Sequence, residues 1–147
     1  ILLPLAARLA AQVQVVPVTA AARHDGRGRV MMVDDEAWLG AFLQELLQES
    51  GFTVEVFANG ADALAALNDA PARFNAVITD LTMPQMSGLA LASAIRLRQP
   101  DLPIVLCTGA GHALDRDTAA RAGIRHVLPK PIPVAQLQAL LAELMPA

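Results

Sequence analysis

Three carboxylates in two short stretches are the side chains of this sequence best suited to chemistry. Asp34 and Asp35 follow the apolar run "VMMV", and Asp80 follows "AVIT". Crowded carboxylates repel one another unless a cation lies among them. Mg²⁺ prefers hard oxygen ligands and usually takes one or two carboxylates together with water. A fold that brings these residues together would therefore make a Mg²⁺ site in which a carboxylate can act as a nucleophile toward phosphorus.

A hydroxyl and an ammonium group follow two further apolar runs. Thr108 follows "PIVLC", and Lys130, the only lysine in the chain, follows "HVLP". Phosphoryl transfer needs positive charge around the equatorial oxygens of phosphorus, and a metal ion with a lysine can supply it. Each residue alone has a simpler explanation, since Asp34, Asp35 or Thr108 can cap a helix and Lys130 can be a solvated charge. The combination favours the phosphoryl-transfer interpretation.

The elements that must position these residues follow a regular alternation. Apolar runs separated by segments of helical periodicity occupy residues 30–33, 53–57, 76–79, 103–107 and 126–128, with the weakest helical pattern at 111–122. Three of the runs lack polar alternation, which is typical of strands buried on both faces of a parallel sheet. The pattern predicts a doubly wound α/β domain, whose strand carboxyl ends share one edge and bind ligands there.

Composition and charge limit the class of protein. The chain has 147 residues, of which 54% are hydrophobic and 3% aromatic, so it is long enough for an aliphatic core and unlike a disordered chain. Its one cysteine, Cys107, is interpreted as a core residue, and a cytoplasmic location is expected. No apolar run reaches the roughly 18–20 residues that span a bilayer, so no membrane contact is expected of this segment.

Charge is distributed unevenly along the chain. Residues 1–29 hold four arginines and one acid, a net charge of +3, and residues 30–147 hold seven basic and thirteen acidic residues, a net charge of −6. A strongly acidic body disfavours contact with a phosphate backbone. Nucleic acid is therefore not expected as a direct partner of this segment.

Residues 29–146 resemble a response-regulator receiver domain of two-component signalling. The resemblance is carried by "VMMVDDE", "AVITDLTMPQMSG", "IVLCTG" and "VLPKPI", in the family's order. Asp80 follows Asp35 by 45 residues, Thr108 follows Asp80 by 28, and Lys130 follows Thr108 by 22. The resemblance implies a flavodoxin-like (βα)5 fold with strand order 2-1-3-4-5. It also implies a phosphorelay function, with a histidine kinase domain or a histidine phosphotransfer protein as partner and with room for a homodimer.

The resemblance further implies a role for each site residue. Asp80 would be the phosphoacceptor and a Mg²⁺ ligand, and Asp35 would also coordinate the ion directly. Asp34 would act through water, and the backbone carbonyl of Thr82 would be a further ligand. Glu36 is expected to be an acid of the first helical turn and not a ligand.

Two more residues are expected to contact the phosphoryl group. Thr108 would form a hydrogen bond to it and Lys130 would pair with it. The family pattern also predicts a cis peptide bond between Lys130 and Pro131, a form found in about 5–6% of X–Pro bonds.

Two positions depart from the family pattern. The switch position, usually aromatic, is Val127, so the common coupling of threonine movement to a ring cannot operate in that form. Ala110, two residues after Thr108, offers no polar group to orient water, which predicts a long-lived phosphorylated form. A phosphorylation-independent interaction module is the main alternative. A phosphatase is disfavoured because no second acid stands two residues after Asp80.

The N-terminal segment indicates a larger context. The leading "ILLPLA" resembles the last strand of a histidine-kinase ATPase domain, and "HDGRGR" resembles a linker. Residues 1–28 are therefore predicted to end a preceding domain and 29–147 to form the receiver, placed at the C-terminus of a hybrid sensor histidine kinase. A free-standing single-domain regulator is the rival. The receiver alone is not expected to turn over any substrate beyond its own phosphorylation and dephosphorylation.

Overall fold

The computed structural model of the protein describes residues 28–70, 73–109 and 114–145. The prediction for the N-terminal segment lies outside the described residues, apart from Gly28. Strands and helices alternate in the order β1 (Arg29–Val33), α1 (Ala37–Glu49), β2 (Thr53–Phe57), α2 (Gly60–Asp69), β3 (Ala76–Asp80), α3 (Gly88–Arg98), β4 (Ile104–Thr108), α4 (Arg116–Arg121), β5 (Ile124–Pro129) and α5 (Val134–Leu144).

The five strands form one parallel sheet in the order β2-β1-β3-β4-β5. This confirms the predicted flavodoxin-like topology. Strands β3 and β4 are buried along their whole length, as their unbroken apolar runs indicate. The order in which strands are added to the sheet reverses between β1 and β3, so the carboxyl ends of these two neighbouring strands flank the topological switch point.

Two hydrophobic layers enclose the sheet because successive side chains of a strand point to opposite faces. In β1, Val30 and Met32 pack with the buried side chains of α1 and α5, including Leu43 and Leu141. Met31 and Val33 belong to the opposite layer, which contains the buried side chains of α2, α3 and α4. Burial on both faces holds the strand ends in place and so determines where the polar residues that follow them lie.

The helices begin with different capping arrangements. Asn59 caps α2 by accepting a hydrogen bond from the Asp62 amide (2.8 Å), and Ser87 caps α3 by accepting one from Ala90 (3.1 Å). Glu36 occupies the cap position of α1, but its side chain makes no capping hydrogen bond. Within the described residues, no helix is long and apolar enough to cross a membrane.

Helix α4 is the shortest of the described helices. It has six residues, and Ala119 is its only buried residue. The weak helical pattern predicted this region as 111–122, but residues 110–113 lie outside the described part of the chain. A helix with one small buried side chain is held by few apolar contacts.

Candidate functional site

The carboxyl ends of β1 and β3 bring the first carboxylates together. Val33 pairs with Thr79 in the parallel register, so Asp34 and Asp80 follow on adjacent strands. The Asp34 amide donates to the carbonyl oxygen of Phe57 (3.1 Å), which extends the ladder between β1 and β2 by one bond. The sheet itself therefore places the Asp34 and Asp80 backbones side by side.

The three predicted carboxylates form one cluster. Asp34, Asp35 and Asp80 each offer a carboxylate oxygen, and these oxygens all lie within 4.8 Å of one another. Asp34 and Asp80 are buried, with 2% and 7% of their surface exposed, whereas Asp35 is exposed. Clustered hard oxygens with one side open to water suit Mg²⁺, which keeps several water ligands. The residues present therefore fit a magnesium ion.

Lys130 reaches this cluster from the end of β5. Its Nζ lies 3.2 Å from Asp34 Oδ2 and 3.3 Å from Asp80 Oδ1. Burial alone would lower the pKa of Lys130, but the carboxylates of Asp34 and Asp80 outweigh that effect and raise the pKa above its ordinary value. The lysine is therefore firmly charged. Its amide donates to the Thr108 carbonyl (2.7 Å), which ties it to the end of β4.

The predicted cis peptide bond between Lys130 and Pro131 is present.

Burial has the opposite effect on the charge of Asp34. Loss of hydration raises the pKa of Asp34 above its usual range, although a hydrogen bond from the Glu36 amide (2.9 Å) and the nearby ammonium of Lys130 oppose that rise. The neighbouring charge of Asp80 adds to it. In the absence of a metal ion, the ionised form of Asp34 is thus less favourable in the fold than in water.

Glu36 is placed differently from its prediction as an acid of the first helical turn. It precedes the first residue of α1, and its Oε1 lies 3.5 Å from Lys130 Nζ. Its carboxylate does not belong to the candidate metal cluster of Asp34, Asp35 and Asp80. The structure therefore assigns Glu36 a contact with the ammonium that sequence analysis missed, because helical position alone does not give the direction of the side chain.

The remaining predicted residues lie around the same edge. Thr108 ends β4 and is buried, with 8% of its surface exposed. Thr82 is exposed, two residues beyond Asp80 in the β3–α3 loop. Ala110 lies outside the described residues. The roles of Thr108 and Thr82 stay predictions, since placement at the edge does not by itself define a contact with phosphorus or metal.

Cys107 and Val127 flank the site on the sheet. Cys107 pairs in register with Asp80 and is buried, as predicted for a core residue. Burial raises the pKa of its thiol to about 12, so it is not a nucleophile at neutral pH. Val127 is 42% exposed and lines a groove between α4 and β5 with Leu114 and Ala119. No aromatic ring occupies this switch position.

Comparison with known proteins agrees with this geometry. The family model for the response regulator receiver domain matches residues 30–142. The chain belongs to the response-regulator receiver family. The predicted resemblance is therefore confirmed, and the function of this domain is that of a phosphoacceptor in two-component signalling. Receiver domains bind Mg²⁺ at an acidic pocket and interact with histidine kinases or phosphotransfer proteins.

Two curated relatives show the extent of the shared region. Transcriptional regulatory protein QseB of Haemophilus influenzae is 32% identical over 117 residues, which cover 80% of this chain and 52% of QseB. DNA-binding transcriptional regulator NtrC of Escherichia coli is 35% identical over 115 residues, which cover 78% of this chain and 24% of NtrC. The chain thus spans about half the length of QseB and about a quarter of NtrC.

Two solved response-regulator structures match this chain over nearly their full length. Chemotaxis response regulator CheY4 of Vibrio cholerae is 28% identical, with a TM-score of 0.72 covering 81% of this chain and 99% of CheY4. Response regulator TrrA of Thermotoga maritima, solved in complex with Mg²⁺ and BeF, is 29% identical, with a TM-score of 0.72 covering 80% of this chain and 98% of TrrA.

Proposed function

We propose that Asp80 is the residue of this receiver domain that accepts the phosphoryl group. One observation carries the proposal: the buried Asp80 carboxylate is within 4.8 Å of two other carboxylates and 3.3 Å from the Lys130 ammonium. A buried carboxylate beside a firmly charged lysine is already desolvated and oriented for attack. Asp80 ends β3, which lies between β1 and β4 in the sheet. A phosphoryl group on Asp80 can therefore contact residues at the ends of both neighbouring strands.

The reaction follows from these placements. An oxygen of Asp80 attacks the phosphorus of a phosphohistidine, and a new O–P bond forms as the P–N bond breaks. The electron pair of the broken bond remains on the imidazole nitrogen of the donor. Lys130 exchanges its contact with Asp80 for one with a phosphoryl oxygen, and the hydroxyl of Thr108 donates a hydrogen bond to another.

Asp34, Asp35, Asp80 and the backbone carbonyl of Thr82 are the groups that would hold Mg²⁺ at this site. When bound, the ion supplies positive charge that balances the charge developing on the phosphoryl oxygens. The chain's own contribution is to keep these oxygens close together before the donor arrives.

The test compares wild-type protein with Asp80→Asn and with Asp101→Asn, an exposed aspartate in the α3–β4 connection. Each protein is incubated with Mg²⁺ and acetyl phosphate, and its intact mass is measured. We expect phosphorylation of the wild type and of Asp101→Asn and none of Asp80→Asn. Phosphorylation that persists in Asp80→Asn would contradict the assignment. Loss of phosphate in the wild type within seconds in Mg²⁺ buffer would contradict the predicted long-lived form.

The context of the domain is a second part of the proposal. We infer that residues 1–28 end a preceding kinase domain, that 29–147 form a cytoplasmic receiver, and that its partner is a histidine kinase or a histidine phosphotransfer protein. The motif "ILLPLA" supports this context. Phosphotransfer from a panel of phosphorylated histidine phosphotransfer proteins tests it, since a receiver of a hybrid kinase should exchange with at least one of them far faster than with acetyl phosphate.

Binding to DNA would indicate a different context, that of a DNA-binding regulator. The net charge of −6 over residues 30–147 opposes binding to a phosphate backbone. We expect no shift of duplex DNA by this segment in a gel at low salt. A shift that weakens with salt would instead favour a DNA-binding regulator.

A further inference from the structure

Glu36 is held at the mouth of the site by its backbone. Its amide donates to Asp34 Oδ1 (2.9 Å), and its carbonyl oxygen accepts hydrogen bonds from the amides of Leu39 (3.1 Å) and Gly40 (3.2 Å). These bonds fix the main chain on both sides of the residue. They do not fix the side chain, which could either cap α1 or extend away from the helix. It makes no capping hydrogen bond.

The side chain reaches Lys130 instead. Oε1 of Glu36 lies 3.5 Å from Nζ, and the ammonium is thereby shared among Glu36, Asp34 and Asp80 at 3.2–3.5 Å. Glu36 is the solvent-facing member of this group, with 51% of its side chain exposed against 2% for Asp34 and 9% for Asp80. The ammonium donates a hydrogen bond to Asp34 Oδ2 (3.2 Å) and lies within ion-pair distance of Asp80 and Glu36.

We propose that Glu36 is a positioning residue that holds the ammonium of Lys130 toward solvent in the unphosphorylated domain and competes for it with a phosphoryl group on Asp80. The inference rests on the proposed pairing of Lys130 with that group. Phosphorylation replaces the Asp80 contact with phosphoryl oxygens, and Glu36 is the remaining partner that water can most easily replace. Removing its carboxylate therefore strengthens the binding of a phosphoryl group or of its analogue.

The chain offers a direct probe of this contact. Lys130 is the only lysine, so protein labelled with ¹³C-lysine has a single lysine CεH₂ signal in its NMR spectrum. Glu36→Gln removes the charge and keeps the shape. Glu36→Asp keeps the charge, withdraws the carboxylate by about 1.5 Å, and favours a cap at the start of α1. Glu45→Gln, on an exposed position roughly 13 Å further along the same helix, changes the net charge equally and is the matched control.

In metal-free protein, we expect both Glu36 variants to shift the Lys130 signal and Glu45→Gln to leave it in place. The same Lys130 signal is then used to monitor a titration with beryllofluoride in Mg²⁺ buffer at constant ionic strength. Glu36→Gln should lower the apparent dissociation constant about 2- to 5-fold, the range expected of a half-exposed ion pair. Glu36→Asp should show much of this gain despite its unchanged charge, and Glu45→Gln should stay near the wild-type value.

Three outcomes would overturn the inference. In the first, Glu36→Gln weakens the binding of beryllofluoride. In the second, Glu36→Gln and Glu45→Gln change the apparent dissociation constant equally, and in the third, Glu36→Asp binds as the wild type does. Either of the last two results would assign the effect to net charge alone. A wild-type protein that shows no Asp80-dependent response to beryllofluoride overturns the proposed function and this inference with it. If the wild type responds to beryllofluoride and the Glu36 variants bind it with the wild-type dissociation constant, only this inference is overturned.

Discussion

Replacement of Gly88 by alanine should destabilise the domain and slow its phosphorylation together. Gly88 is the first residue of α3, and its amide donates to the Leu81 carbonyl (2.8 Å) in the loop after Asp80. A Cβ atom built on Gly88 would lie 2.3 Å from the carbonyl oxygen of Asp80 and 2.7 Å from Leu106 Cδ1. The start of α3 thus rests directly on the backbone of the proposed phosphoacceptor.

The size of the effect follows from these distances. Close carbon–oxygen contacts lie near 3.3 Å, so α3 and the end of β3 must separate by about 1 Å. Overpacking of this kind costs about 1–3 kcal/mol, with the upper end expected because a backbone carbonyl cannot turn aside. Alanine regains up to about 1 kcal/mol of helix propensity. The net loss is about 2 kcal/mol, or roughly 1 M in the urea midpoint for a slope near 2 kcal/mol/M.

Gly109→Ala is the matched control for this experiment. A Cβ atom on Gly109 meets nothing within 4 Å, and its backbone is not in the left-handed region. This substitution should leave stability unchanged or raise it by about 0.4–1 kcal/mol through the unfolded chain. Urea unfolding followed by circular dichroism measures both variants. A Gly88→Ala midpoint equal to that of Gly109→Ala would refute the packing argument.

The Gly88→Ala variant should also change the rate of phosphorylation. A displacement of about 1 Å at reacting groups can cost about 100-fold in rate. Phosphorylation of Gly88→Ala by acetyl phosphate, measured under conditions where the variant is folded, should therefore be slower than that of wild type. A normal rate in a destabilised variant would show that α3 moves and Asp80 does not.

Two further predictions concern buried titratable groups. Because the pKa of Asp34 is raised in the fold, wild-type stability should fall relative to Asp34→Asn as pH rises from the unfolded value of 3.8 through the folded one. Urea unfolding with EDTA between pH 3 and 8 measures the difference, and a pH-independent gap would contradict the assignment. Cys107, with a thiol pKa of about 12 and 1% exposure, should resist a thiol-specific dye at pH 8 until the protein is unfolded. Labelling at the rate of a free thiol in native protein would exclude this burial.

Several features of the fold could be predicted because they depend on local pattern. Unbroken apolar runs placed β3 and β4, and the observed strands begin and end within two residues of every predicted run. Chain order and right-handed crossovers then require the ends of β1, β3, β4 and β5 to share an edge. The weakest predicted helix is the shortest of the helices in the described residues, because a segment with few large apolar residues has little to bury.

Other features could not be predicted because they depend on side-chain direction across the sheet. Glu36 and Lys130 are 94 residues apart in the sequence, and neither position indicates that their charged groups meet at 3.5 Å. The sequence likewise does not decide whether Asp34 is a simple helix cap; in the structure its carboxylate accepts a hydrogen bond from the Glu36 amide and contacts Lys130.

The sequence by itself determined the family, the alternation of strands and helices, and the set of polar residues at one edge of the sheet, whereas the strand order was implied by the resemblance to that family. These follow from periodicity and from motif spacing, which a linear chain records directly. Only the tertiary structure decided which carboxylates share the lysine, how deeply each is buried, and how closely Gly88 approaches Asp80. Such contacts depend on ångström-scale packing between segments distant in the chain, and that packing sets the hydration and charge of the site.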